Sequence, residues 1–355
     1  MAISASTIGI GVVGSGFGGY GLTPAFRRDP RCEVLAIAAS TIESATSAAK
    51  KWNIPRAGTW QELVAADDLD AIAIAVPPAL QPEIASAAFA AGKAVFAEKP
   101  LACGPKDASA MVGWAEASGL ANMIDFIFPE LDTWREAKRM LDDGQLGQLT
   151  HVFLDWRMES YDIRNRIEGW KTASEQGGGV MSNFGSHSFY YLEWLLGPMA
   201  SLSASLSNFG GRSEAGDTLA VASVNFESGV TGSITLSSGA LLGLGHRLEI
   251  HGEDGAIVLA NPDADPVEGF CLLAGTRTSG RLDLRSEERH SERNSSEDSR
   301  VFAVARLAGR FLDWVCDGKH GSPSFRDGLR SQELLHAASV SSAENGLRVE
   351  VPSRA

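Results

Sequence analysis

The amino-acid sequence predicts an α/β chain in two parts: an N-terminal doubly wound parallel sheet, then an α+β domain on an open, mostly antiparallel or mixed sheet. Three observations carry this. Up to about residue 125, short apolar runs alternate with helix-compatible segments, the pattern of parallel strands wrapped by helices. From Leu131 onward, longer strand-like stretches follow one another with fewer helices between them. The 355 residues amount to about two domains of ordinary size.

In chain order, residues 8–13, 34–38, 71–76, 94–97 and 122–126 read as strands, because each is a short apolar run bounded by turn residues. Between them, residues 18–28, 44–52, 82–91 and 106–118 have helical composition. A strongly helical segment, 133–143, stops at Gly144. Residues 150–157, 201–208, 219–226, 230–237, 246–251 and 256–259 alternate or are β-rich, with turns at Glu227-Ser228-Gly229 and Glu253-Asp254-Gly255. Residues 276–300 mix charges with Ser, Gly and Asn, and read as a solvated loop or ragged hairpin. Helices at 301–316 and 325–345 close the chain, the last before Gly346.

Composition excludes several classes. The chain is 44% hydrophobic and 21% charged, so it can bury a sizeable core. Its 31 Lys+Arg against 44 Asp+Glu give a net charge of −13, and no Lys/Arg run offers a phosphate backbone a basic face, so no nucleic-acid partner is expected. Cys32, Cys103, Cys271 and Cys316 lie far apart without metal-ligand spacing, so neither a metal site nor a disulfide framework is expected and the thiols read as reduced. Met1–Thr7 lacks the basic region of a secretory signal, and no run approaches the ~18 apolar residues of a membrane span. A cytoplasmic protein without a membrane partner is expected.

Gly14-Ser15-Gly16-Phe17-Gly18-Gly19 matches G-x-G-x-x-G, directly between a strand pattern and a helix pattern. In that context Gly14 serves the tight turn, Gly16 the close approach of a pyrophosphate, and Gly19 the packing of helix on strand. The helix N-terminus then faces the anion with free N–H groups. NAD-binding sites of this kind carry a carboxylate at the end of the second strand, bonded to the ribose hydroxyls. Here that place reads Ala38-Ala39-Ser40-Thr41, whose hydroxyls can donate to a 2′-phosphate, so NADP is favoured over NAD, with Lys50 and Lys51 as the candidate cations. Ser40 and Glu43 also read as a capping box for the following helix.

Beyond the fingerprint, Glu98-Lys99-Pro100 after a strand ending in Ala97 resembles the signature of the Gfo/Idh/MocA family of oxidoreductases, which includes glucose–fructose oxidoreductase and inositol dehydrogenase. Val76-Pro77-Pro78-Ala79-Leu80-Gln81 is similar to that family's cofactor-contacting loop, with Gln81 where histidine is usual. Trp170-Lys171, the run Gly177-Gly178-Gly179, and Asn183-x-Gly185-x-His187 resemble its substrate-side segment. Phe325-x-Asp327-Gly328-Leu329 and Arg348-Val349-Glu350-Val351 fit its C-terminal pattern.

The resemblance implies a Rossmann dinucleotide-binding domain over residues 1–128 and a substrate-binding and oligomerisation domain over 129–355, with the final helix able to pack back on the first. It implies cofactor contacts from Gly14, Ser15, Gly16, Phe17, Gly19, Ser40, Thr41, Val76, Pro77, Leu80, Gln81, Glu98, Lys99 and Pro100. Hydride transfer at a carbinol carbon needs one group to take the hydroxyl proton and another to stabilise the developing alkoxide; an imidazole and an ammonium suit these tasks. The resemblance implies His187 as proton acceptor or donor, Lys99 as hydrogen-bonding partner of the substrate oxygen, and Asn183 as orienting residue. Trp170, Lys171 and Asp125 join them at the substrate, Asp125 as a carboxylate for sugar hydroxyls. The expected reaction joins a nicotinamide cofactor to a hydroxyl or keto group of a sugar, cyclitol or related polyol, in a homodimer or homotetramer associated through the open sheet.

Three positions depart from the family pattern. Asn183 stands where Asp is common and cannot stabilise an imidazolium by charge. Tyr190 stands where a carboxylate often follows, and Asp125-Phe126-Ile127-Phe128 replaces a stretch that usually carries Arg. These leave two other readings open: a non-catalytic dinucleotide-binding sensor, and a glycosidase acting by transient oxidation with retained NAD.

Overall fold

The computed structural model describes residues 7–208, 215–263, 265–289 and 297–353. Residues 1–6, read above for a leader, and 290–296 of the charged segment lie outside the described residues. The chain divides into two compact units, Met1–Ile127 with Arg293–Leu329, and Phe128–Glu292 with Arg330–Ala355.

The first unit is a parallel sheet of β1 (Ile8–Val13), β2 (Cys32–Ala38), β3 (Arg56–Gly58), β4 (Ala71–Ile74), β5 (Ala94–Ala97) and β6 (Asn122–Ile124), in the order β3-β2-β1-β4-β5-β6. Nearly every residue of β1, β4, β5 and β6 is buried, as helices on both faces require. The strand order reverses between β1 and β4, and at such a switch point the carboxyl ends of the strands open a crevice for ligand.

Two elements of this unit escaped the sequence reading. β3 has three residues and no apolar run, and the helix Trp60–Ala65 is short, though Thr59 and Glu62 cap it with a reciprocal box. The cap of the helix Ile42–Trp52 is Thr41, whose hydroxyl accepts from the Ser44 N–H at 3.1 Å; the box expected from Ser40 and Glu43 is therefore one residue out of place.

The helix Val301–Asp317 belongs to this unit although it lies far beyond residue 128 in sequence. Its stripe Val304, Leu307, Ala308, Phe311 and Leu312 is fully buried, and the Phe311 ring meets Phe26 and Phe96 edge-on. The segment that follows is held in the same way, the Phe325 N–H donating to Asn122 Oδ1 and the Ile124 N–H to the Pro323 carbonyl.

The second unit is an open mixed sheet of nine strands: β7 (Leu149–Arg157), β8 (Met199–Ser207), β9 (Leu219–Phe226), β10 (Thr231–Ser237), β11 (Gly245–Gly252), β12 (Gly255–Asn261), β13 (Cys271–Thr276), β14 (Asp283–Glu287) and β15 (Val349–Glu350). Their order is β14-β13-β12-β11-β7-β10-β9-β8-β15, with β7 and β10 parallel and the other neighbours antiparallel. Period-two alternation decides the faces. Val152, Leu154 and Trp156 of β7, and Ala220, Ala222, Val224 and Phe226 of β9, point into the core; Phe153, Leu219 and Val221 point away from it. Of the charged segment read as a loop or ragged hairpin, β14 pairs antiparallel with β13, which precedes that segment.

Candidate active site

The loop after β1 is shaped by its glycines. Gly14 has φ +119°, its N–H donates to the Ala38 carbonyl at 2.8 Å, and a Cβ there would stand 2.1 Å from the Ala75 carbonyl oxygen. A Cβ on Gly16 would meet nothing within 4 Å, so the loop presents open space where a ligand can approach backbone. The third fingerprint glycine differs from expectation: a Cβ on Gly19 would strike the indole of Trp52, and it is Gly18 that packs against Val12 of β1. The Gly16 carbonyl accepts from the N–H groups of Gly19 and Tyr20, starting a π-helical turn over Gly18–Leu22. Among the described residues the N–H groups of Ser15, Gly16 and Phe17 donate to no backbone carbonyl. Backbone donors gathered at a strand's carboxyl end, beside open space, fit the phosphates of a dinucleotide.

At the end of β2, Ser40 and Thr41 are exposed, but the Thr41 hydroxyl is engaged as helix cap. Lys50 and Lys51 lie in the last turn of the helix Ile42–Trp52, about 13 Å along the axis from its start, and the Lys51 ammonium sits 4.7 Å from the centre of the Trp52 ring. The cations expected for a 2′-phosphate are thus at the wrong end of the helix, and its first turn carries Glu43 instead.

Glu98-Lys99-Pro100 follows β5. The register Ala97↔Ile124 between β5 and β6 sets Glu98 beside Asp125 at the carboxyl end of the sheet. Asp125 is 2% exposed. Burial pushes its carboxyl well above the usual carboxylate range, reinforced by the charge of Glu98 and by a hydrogen bond to it, while Arg300 and Lys99 pull the other way. The shift favours the protonated form of Asp125, hydrogen-bonded to Glu98, and its Oδ1 is buried without a partner. The carboxylate for sugar hydroxyls read from the sequence is not what the fold makes of this residue. Gln81, expected at the cofactor, is fully buried; its amide donates to the carbonyls of Glu98 at 2.9 Å and Pro100 at 2.7 Å and so holds the turn that presents Lys99. Val76, Pro77 and the half-exposed Leu80 occupy the loop after β4.

In the second unit, the turn Trp170–Thr172 folds onto the glycine run. A Cβ on Gly178 would stand 2.2 Å from the Trp170 carbonyl, and the Gly179 N–H donates to the Lys171 carbonyl at 2.9 Å. The Lys171 ammonium lies 3.7 Å from Asp162. Asp217, which the sequence reading missed, then starts the next helix: its carboxylate accepts from the Met181 N–H and its carbonyl from the Val180 N–H, both at 2.7 Å. No spacing in the sequence marks it, because its partners are some 36 residues away.

Asn183 lies in a π-helical turn, Met181–Gly185, and His187 in the first turn of the helix Ser186–Leu196. Turns of this kind are uncommon and recur at functional sites; here one follows the glycine fingerprint and another precedes His187. His187 is 6% exposed, with the ring of Phe128 edge-on at 5.1 Å and Trp156 at 6.4 Å. Behind it, Trp156 is sandwiched between Phe184 and His246, each 4.3 Å away and nearly parallel. Burial pushes His246 down to about 3, so its imidazole is neutral. A one-way chain of donors follows: His246 Nε2 to the Tyr191 hydroxyl at 2.9 Å, Tyr191 to Ser188 at 3.1 Å, and Ser188 to the Phe184 carbonyl at 2.9 Å. It fastens the His187 helix to β11. A buried ion pair, Glu193 with Arg330 at 2.8 Å, fixes the same helix further along.

A parallel sheet in this strand order, with a glycine loop at its switch point, defines a dinucleotide-binding unit, here carried with a mixed-sheet unit. Residues 8–126 match the oxidoreductase family with NAD-binding Rossmann fold, and residues 134–258 match the Gfo/Idh/MocA C-terminal domain. An uncharacterized oxidoreductase of Synechocystis sp. is 30% identical over 92% of this chain and 91% of its own length. Levoglucosan dehydrogenase of Pseudarthrobacter phenanthrenivorans is 24% identical over 97% of this chain and 98% of its own length. A solved structure of levoglucosan dehydrogenase in complex with NADH and L-sorbose superimposes with a TM-score of 0.87 at 22% identity, over 98% of this chain and all of that one. The chain belongs to the Gfo/Idh/MocA family of oxidoreductases. It is accordingly an NAD-binding dehydrogenase or reductase acting on CH–OH groups.

Proposed function

We propose that the substrate is a sugar, cyclitol or related polyol, and that Lys99, Asn183 and His187 carry the reaction. The observation that carries this reading is the pairing of a dinucleotide loop with the built turn of Lys99, whose carbonyls Gln81 holds from a fully buried position. The character of the sugar dehydrogenase relatives supports the substrate class.

Ser15, Gly16 and Phe17 would hold the cofactor's phosphates through backbone N–H groups, in a turn that Gly14 shapes, with Val76, Pro77 and Leu80 along the nicotinamide half. Bound there, the nicotinamide supplies or accepts the hydride. The Lys99 ammonium hydrogen-bonds the substrate oxygen and stabilises it as it gains negative charge. The His187 imidazole takes the hydroxyl proton in oxidation and returns it in reduction. Asn183 orients the substrate through its amide, which cannot share the imidazolium charge as an aspartate would. Trp170 and Lys171 border the substrate.

For the cofactor we infer that both NAD(H) and NADP(H) are accepted. No carboxylate at the end of β2 repels a 2′-phosphate, yet the nearest candidate lysines lie a helix length away. Exposed Phe153, Leu219 and Val221 on the outer face of the sheet support self-association there, as a homodimer or homotetramer.

The test is a screen of both cofactors against a polyol and keto-sugar panel in both directions, with Lys99→Ala and His187→Ala as controls. Turnover lost in both variants with cofactor binding kept is the expected result. Full activity in either variant removes that residue from the mechanism, and cofactor binding without turnover on the whole panel overturns the enzymatic reading.

A further inference from the structure

One side chain at the dinucleotide loop arrives from far along the chain. Arg300, immediately before the helix Val301–Asp317, lays its guanidinium over the Phe17 ring of the glycine loop at 4.3 Å from the ring centre, with the Tyr20 ring at 5.9 Å. Its segment is tied down by Arg28, whose guanidinium donates to Glu297 at 2.6 Å. The charge of Glu98 also lies within its electrostatic reach. Arg300 therefore sits in the stretch of the first unit running from the loop after β1 to the turn after β5.

Its bonding leaves an edge available. Nε and Nη2 each donate to the Asp298 carboxylate at 2.8 Å, and the Arg300 N–H donates to the same group at 3.0 Å. This fork, together with the ring beneath it, fixes the plane of the guanidinium. The structure gives Nη1 no acceptor among the described residues, and the side chain is 31% exposed. A planar cation already held in one orientation loses little freedom when it takes up an anion. The chain as a whole carries −13, so a cation beside the loop matters more than it would on a basic surface.

We propose that Arg300 is a ligand of the cofactor's pyrophosphate, supplying the positive charge that the glycine loop's backbone donors lack. This rests on the dinucleotide lying at the loop after β1. It adds a cofactor residue that neither the fingerprint nor the Glu-Lys-Pro turn contains.

The test is equilibrium binding, by titration calorimetry and NADH fluorescence, of NADH, ADP-ribose and adenosine to wild type and Arg300→Met. Loss of one charge-assisted contact weakens NADH and ADP-ribose roughly 10- to 100-fold, leaves adenosine unchanged, and flattens the salt dependence of NADH binding. Arg300→Met binding NADH within twofold of wild type overturns the proposal, and so does an equal loss for adenosine, which would mean a distorted loop. Should Arg300→Met fail to fold, Arg300→Gln decides in the same way, since it keeps a polar side chain but removes the charge: NADH and ADP-ribose weakened with adenosine unchanged supports the assignment, and no change refutes it. Wild type that binds neither NADH nor NADPH would instead overturn the underlying cofactor reading, a distinct result.

Discussion

Replacing Glu193 by alanine tests how the His187 helix is held. Its carboxylate accepts from Arg330 Nε at 3.1 Å, Arg330 Nη2 at 2.8 Å and the Met199 N–H at 2.9 Å, and the two side chains are only 3% and 6% exposed. Alanine leaves a buried guanidinium whose remaining partners are the carbonyls of Met199 and Pro352 and, at 3.5 Å, the more exposed Glu333. Removing one member of a buried pair costs about 3–5 kcal/mol. Glu333 can return up to about 1 kcal/mol as a part-exposed partner. The net expectation is a loss of about 2–4 kcal/mol, or a fall in Tm of roughly 5–15 °C, read by calorimetry and by urea unfolding. The double variant Glu193→Leu with Arg330→Met removes both charges and recovers most of the loss. A single-variant loss below about 1 kcal/mol, or a double variant as unstable as the sum of the two singles, would refute the argument.

Three further outcomes follow from the geometry. Gly14→Ala forces a Cβ to 2.1 Å from the Ala75 carbonyl at φ +119°, so NADH affinity falls at least 100-fold in calorimetric titration; near-normal affinity would show that the loop shifts freely. His246 is neutral when folded, so stability present above about pH 6.5 is lost as pH falls toward 3, by roughly 5 kcal/mol for a fall in pKa from 6.5 to about 3. In His246→Phe that acid loss shrinks, and an unchanged slope of urea midpoint against pH would contradict the assignment. The raised Asp125 carboxyl has the opposite sign: stability is full below its ordinary value near 3.8 and declines as pH rises through the folded value. Asp125→Asn cannot ionise, so its stability relative to wild type should rise between pH 4 and pH 8; parallel profiles across that range would rule out a buried neutral acid.

How much of this was legible beforehand follows the range of the interactions. The glycine loop, the four full-length central strands and the Glu-Lys-Pro turn are local patterns, and periodicity and turn chemistry reveal them. β3 was missed because two parallel neighbours are not needed to hold three residues at a sheet edge, where no apolar run is required. The capping error at Ser40 was one residue, within the reach of local ambiguity, since Ser and Thr adjoin and both can cap.

The site divides along the same line. Residue types and spacing sufficed for the parallel-sheet architecture, the dinucleotide loop, the second sheet and the family, because each is written in local alternation, turn residues and motif spacing. Only the tertiary structure decided that Asp125 is a buried acid bonded to Glu98, that Gln81 serves the Lys99 turn, that Lys50 and Lys51 stand at the far end of their helix, and that Arg300 lies over Phe17. Burial and charge depend on which distant segments share a neighbourhood. With 283 residues separating Arg300 from Phe17, no local pattern carries that contact; it arises because the helix Val301–Asp317 must bury its apolar stripe, and that burial brings Arg300 to the loop.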